Sequence, residues 1–106
     1  MKTVIISAIG VLSLTAAMTQ AADLAAGKKA STVCSACHGA LGISPNPAWP
    51  NLAAQQPAYL VKQMKDFRDG RRSDPWMSPM AIKLSDEDIE NLAAWFNSLP
   101  LQDEYQ

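Results

Sequence analysis

Both cysteines and the only histidine of this 106-residue chain fall in one run of five residues, Cys34-Ser35-Ala36-Cys37-His38. No other feature constrains the chain as much. Cysteines at i and i+3 lie on one side of a helical turn, so both sulfurs can reach the two vinyl-derived carbons along one edge of a haem. His38, the next residue, then projects its imidazole toward the iron from the same side. A C-x-x-C-H run therefore reads as covalent haem attachment. A thioredoxin-like dithiol also uses C-x-x-C, but it expects a preceding strand in a βαβ setting, and no strand pattern is found. A plain Cys34–Cys37 disulfide is the other alternative. Structural zinc is short of ligands, because it would need carboxylates, which such sites rarely use.

The chain ahead of this run reads as a leader. Lys2 and the chain amine supply positive charge, Thr3 to Ala22 carries none, and Val4 to Leu14 is strongly apolar. Thr19-Gln20-Ala21 places small side chains at −3 and −1 of a signal peptidase site. The expected organisation is a signal peptide over residues 1–21, cleaved near Ala21, followed by a single mono-haem domain over residues 22–106. An uncleaved anchor is the competing reading, since about 20 apolar residues span a bilayer. Against it, Ser7, Gly10, Ser13, Thr15, Thr19 and Gln20 dilute the segment, and no basic flank follows. Covalent haem attachment takes place outside the cytoplasm, so leader and motif agree on the periplasm, with no membrane insertion after cleavage.

With the leader removed, eight basic side chains face ten acidic ones, a net charge of −2. That balance excludes a typical nucleic-acid binder, which gathers a basic excess on one face. A disordered chain is excluded too, because 48% of residues are hydrophobic and only 18% are charged. A domain this short buries a limited share of its surface and needs a staple such as a cofactor.

The pattern is all-α, with three main helices separated by long loops. The first runs from about Asp23, its cap, to Cys34. Gly39 to Pro57 carries Gly39, Gly42, Pro45, Pro47, Pro50 and Pro57, so regular structure is not expected there. The second helix spans about Pro57 to Asp69, with Pro57 at its first position and Gly70 just past its end. Its apolar face is Leu60, Gln63, Met64 and Phe67; Lys62, Lys65, Asp66 and Asp69 form the polar one. Arg71 to Leu84 reads as a loop broken by Pro75 and Pro79. The third helix starts at Ser85 with Asp88 in capping-box position, continues through Ile89, Leu92, Ala93 and Phe96, and stops at Pro100. The last six residues are polar and read as a frayed end.

His38 can fill one axial position of a haem iron, and no second histidine exists to fill the other. Methionine is the natural alternative, with Met64, Met77 and Met80 as candidates. Met64 sits on the apolar face of the second helix and reads as core. Met77 and Met80 lie in the Pro-broken loop, and composition alone does not choose between them.

At this point the chain resembles the class I c-type cytochromes, in the small bacterial branch that also contains tandem di-haem proteins. The resemblance covers nearly everything after the leader. Ala25-Ala26-Gly27 ahead of Cys34-Ser35-Ala36-Cys37-His38-Gly39 looks like the family's first helix and haem site. Pro50-Asn51-Leu52 matches the proline whose carbonyl accepts a hydrogen bond from the haem histidine. Tyr59 to Met64 and Phe67 to Gly70 look like the middle helix, and Leu84 to Phe96 like the last. The resemblance implies the small cytochrome c fold around one covalent haem c, held by Cys34 and Cys37. It implies His38 and Met77 as axial ligands, Met77 being the first of a Met-x-x-Met pair before the last helix, with Met80 packing in the haem pocket. It also implies that Gly27 and Trp95 cross. Two departures are Ala54, where many relatives have glycine, and Trp95 in place of a commoner tyrosine.

An iron with both axial positions filled by protein offers no open site to substrate or oxygen. The expected function is therefore not enzymatic: a monomeric, soluble periplasmic one-electron carrier of fairly high potential, exchanging electrons with redox protein partners. The alternative is the haem-bearing, electron-accepting subunit of a larger oxidoreductase, such as a flavoprotein or a sulfur-compound dehydrogenase. A gas-sensing haem protein with a labile Met77 is disfavoured, as no signalling domain accompanies it. Basic residues gather between Lys28 and Arg72 and acidic ones from Asp86 onward, a split that either steers docking or simply marks solvated faces.

Overall fold

Helices form where the local signals place them, with two exceptions. The computed structural model describes residues 1–16 and 21–101. In order come α1 (Leu24–Ala30), a 3-10 turn (Ser31–Cys34), α2 (Ser35–His38), α3 (Pro57–Arg68), α4 (Met77–Ala81) and α5 (Asp86–Ser98), and no strand occurs among the described residues. Val4, Ile5, Ile6, Ile9, Leu12 and Leu14 each stay at least 79% exposed, so the apolar N-terminal segment adds nothing to the core. No helix among the described residues is long and apolar enough to cross a membrane. Thr19 and Gln20 of the expected cleavage site lie outside the described residues, as does the polar end from Gln102.

The capping box opens α5: the Asp88 N–H donates to Ser85 Oγ and the Ser85 N–H to Asp88 Oδ2, each at 3.0 Å. Asp86, Glu87 and Asp88 sit in its first turn, where the helix dipole favours negative charge. Leu99 turns extended ahead of Pro100, as the clash with a proline ring requires. On α3, Pro57 takes the first position and Asp69 the C-cap, with Gly70 beyond it. Leu92, Ala93 and Phe96 of α5 pack with Leu60 of α3 and with Ala53 and Leu99 to make the core.

α1 crosses α5 closely because Gly27 has no side chain. A Cβ there would lie 2.9 Å from Trp95 Cβ and would overlap the Asn91 carbonyl. Asp23 fixes the same crossing twice. Its side chain caps α1 through the Ala26 N–H at 3.1 Å, and its own N–H donates to Asn91 Oδ1 at 2.8 Å.

Three expectations are corrected. The first helix does not run as one α-helix to Cys34: it tightens at Ser31 and resumes to His38. Ser31, Thr32 and Ser35 hydroxyls donate back to the carbonyls of Lys28, Lys29 and Ser31, and such back-bonding competes with the regular ladder. Second, the segment from Arg71 to Leu84 is not all loop, because α4 forms inside it. Pro79 is tolerated there as the third residue of a helix, where its missing N–H has no intrahelical partner. Third, Asp66 is buried rather than on a polar face. Arg71 Nε donates to its Oδ1 at 2.7 Å, Lys62 Nζ donates to its Oδ2, and the Arg72 N–H reaches its backbone carbonyl at 3.0 Å. Arg68 bridges Asp69 and Asp86. Much of the basic cluster is thus occupied inside the fold.

Ala54 adopts φ 58°, the left-handed conformation that favours glycine, and donates its N–H to the Phe96 carbonyl at 3.0 Å. The geometry explains why glycine suits this position.

Candidate haem site

The cysteine–histidine run is presented at the seam between the 3-10 turn, which ends on Cys34, and α2, which carries Cys37 and His38. Directly afterwards Gly39 takes φ 80°, and a Cβ there would overlap the Ile43 carbonyl. Only glycine lets the chain double back at this point. The returning loop is then tied down. Ser44 Oγ lies 3.1 Å from the Cys37 carbonyl and 2.7 Å from that of Asn46, and the Ser44 N–H donates to Asn51 Oδ1 at 2.7 Å.

That loop brings the Pro50 carbonyl to 2.8 Å from His38 Nδ1. A carbonyl only accepts, so Nδ1 carries the proton and Nε2 keeps its lone pair. His38 is 6% exposed, and its ring is fixed in tautomer and in direction. Cys34 and Cys37 are half-buried free thiols, so the plain disulfide is not formed. Burial pushes the Cys34 thiol up, and the neighbouring Cys37 charge adds to it, which keeps Cys34 protonated at neutral pH.

Met77 and Met80 lie one turn apart on α4, which packs against α3. Met77 is half-buried and Met80 is 38% exposed. Met64 packs against the core cluster. Asp74 holds the start of α4: its Oδ1 accepts the N–H groups of Trp76 and Met77, each at 2.8 Å. Those two amides hold its carboxyl below the usual carboxylate range.

Asp74 and the Ser44–Asn51 clasp were not among the sequence candidates. Asp74-Pro75 carried a readable signal, because an Asp-Pro pair favours a turn, and the turn at Pro75 and Trp76 leads into α4. Nothing local announces the Ser44 clasp, which joins residues seven apart across a loop.

These donors suit a porphyrin iron. Among the described residues no three His, Cys, Asp or Glu side chains gather as they would around a bare metal ion. What the chain offers is one oriented imidazole, two thiols a helical turn apart, and thioethers on a separate helix. Among the described residues only Ile89 and Leu92 are large and fully buried, a thin core that a covalent cofactor would reinforce. The cytochrome c family matches residues 24–100.

The chain belongs to the cytochrome c family.

Members of this family carry covalently bound haem c and transfer single electrons, and this chain corresponds to one such domain with one haem c. It is 44% identical over 98 residues to a cytochrome c4 of Pseudomonas aeruginosa, covering 92% of this chain and 49% of the relative. A thiosulfate dehydrogenase electron acceptor of Stutzerimonas stutzeri is 41% identical over 75 residues, covering 70% of this chain and 35% of the relative. The crystal structure of reduced recombinant cytochrome c4 from Pseudomonas stutzeri superposes with a TM-score of 0.71 at 40% identity, over 76% of this chain and 47% of that one. The chain thus spans about half the length of the curated cytochrome c4 relatives it matches. The small cytochrome c fold expected from the sequence is the one observed.

Proposed function

We propose that this cytochrome c is a monomeric one-electron carrier of the periplasm, exported through the segment 1–21. The observation that carries the reading is the oriented, buried His38 directly after Cys34 and Cys37, with methionines on the separate helix α4. Haem c, once attached, supplies an iron that takes up and releases one electron. The chain supplies everything that makes this useful.

Cys34 and Cys37 would hold one porphyrin edge by thioether bonds. His38 would bind iron through Nε2, and its Nδ1–H donation to the Pro50 carbonyl would make the ring a better donor. Met77 would supply its thioether to the iron and Met80 would pack beside it. A thioether is a softer and weaker donor than imidazole or thiolate, so it favours the ferrous state and raises the potential. With His38 and Met77 both on the iron, neither oxygen nor a substrate would bind without displacing one, which suits a carrier rather than a catalyst.

Redox proteins are its partners. The relative named as a thiosulfate dehydrogenase electron acceptor favours a second reading, in which this domain accepts electrons from a sulfur-compound dehydrogenase. Co-purification with such an enzyme, and reduction by it, separates that role from free carriage. The ligand assignment is tested by Met77→Ala in protein matured in an export-competent host. The weak methionine-to-iron band of the ferric form should vanish and the potential fall. An unchanged spectrum would overturn Met77 and transfer the role to Met80.

A further inference from the structure

α4 has no means of standing by itself. It is five residues long and contains Pro79, whereas isolated helices shorter than about 12 residues are marginal in water even with ideal composition. The chain entering it is anchored to α3 only as far as Arg72, through the Arg72 N–H to Asp66 and the Arg72 guanidinium stacked 4.5 Å over the Phe67 ring. Beyond that point Asp74 takes over. Its Oδ1 accepts two N–H groups, from Trp76 and from Met77 itself. Its own N–H donates to Ser78 Oγ at 3.0 Å, and the Ser78 N–H returns to the Asp74 carbonyl at 3.0 Å. Four hydrogen bonds therefore close a ring of five residues around Met77. At the far end of the helix, Ala81 is fully buried.

We propose that Asp74 is the positioning residue of the methionine side. By holding the amides of Trp76 and Met77, it fixes the backbone from which Met77 presents its sulfur, and so sets how well Met77 competes with other ligands for the iron. This rests on Met77 as the axial ligand. With the Met77 N–H bonded, only its side-chain torsions remain to be ordered when the sulfur binds, which lowers the entropic cost of ligation. The rest of the segment does not replace this hold, since Trp76 is 71% exposed.

The test uses the ferric holoprotein with imidazole as competing ligand, well below the melting temperature. Asp74→Ala should raise imidazole affinity about tenfold, the equivalent of ~1.4 kcal/mol, a fraction of what two hydrogen bonds to a charged acceptor contribute, because water can take up the freed amides. It should also lower the reduction potential and weaken the methionine-to-iron band. Asp74→Asn keeps an acceptor oxygen in place and should restore most of the affinity, band and potential, which a merely bulk-stabilising role would not predict. Ser78→Ala removes one reciprocal bond and should act in the same direction by about threefold, so the proposal stays testable if Asp74→Ala does not accumulate. Unchanged imidazole affinity and potential in Asp74→Ala, or in Ser78→Ala where it stands in, would overturn the proposal. Met77→Ala run in parallel locates the failure. If it abolishes the band while the Asp74 and Ser78 variants stay silent, positioning alone is wrong; if the band survives, the ligand assignment falls and this proposal with it.

Discussion

The histidine side and the methionine side of the site are built by opposite means. Around His38 the chain is tight: a buried ring, a glycine that only one backbone conformation satisfies, and a loop clasped by Ser44 and Asn51 that delivers the Pro50 carbonyl. Around Met77 it is a five-residue helix with an exposed tryptophan in front and a partly exposed methionine behind, held by one carboxylate. The histidine side spreads its hold over several residues, whereas the methionine side concentrates it in Asp74. A lesion of comparable size should therefore have its effect on stability and haem capture on the first side, and on ligand competition on the second.

The largest expected effect is from Gly39→Ala. The added Cβ meets the Ile43 carbonyl in a conformation that disfavours side chains, so stability should fall by ~3 kcal/mol or more. Urea denaturation of the holoprotein, and the yield of attached haem, measure it. The matching change on the other side, Pro79→Ala, should shift stability by less than ~1 kcal/mol. Equal losses would break the contrast.

Asn51→Ala comes next. It removes the acceptor for the Ser44 N–H at a partly exposed site, and should cost about 1 kcal/mol while leaving the methionine-to-iron band intact. Loss of that band would show that the two sides are mechanically linked.

Ala54→Gly sharpens the comparison from outside both sides. Relieving the left-handed backbone at φ 58° should stabilise the domain by about 1 kcal/mol, read as a rise in denaturation midpoint with no change in spectrum or potential.

The smallest effect is acid dependence. Lys62 first, then Arg71, hold the Asp66 carboxyl below its ordinary value of 3.8. A depressed folded-state value contributes stability that is fully present above 3.8 and is lost as pH falls through the folded-state value. Stability should thus be insensitive to this group near neutrality and decline in strong acid, and Asp66→Asn should flatten that part of the profile.

Much of this was legible because its causes are local. Ser85 with Asp88, Asp23 ahead of α1, and Pro57 with Gly70 around α3 each act within one helical turn, and each is found where the sequence put it. The Gly27–Trp95 crossing was legible through resemblance, since no spacing rule links residues on two distant helices. What escaped depended on partners remote in sequence or on competing local choices. Asp66 reads as solvated until Arg71 folds back over it. Ser31 and Thr32 fall inside the expected first helix and Ser35 just beyond it, and the back-bonding of their hydroxyls tightens the turn that presents Cys34. α4 hid behind two prolines, although Asp74-Pro75 marks the turn that leads into it and Pro79 falls in its first turn, where proline is tolerated.

The most direct test of the account is the visible spectrum of the matured protein, oxidised and reduced, with and without carbon monoxide. A His38/Met77 carrier should show a low-spin haem c, a weak methionine-to-iron band in the ferric form, and indifference of the ferrous form to carbon monoxide. Prompt carbon monoxide binding or a high-spin ferric spectrum would contradict it, because the iron would then be open and the protein would not be a His38/Met77 carrier.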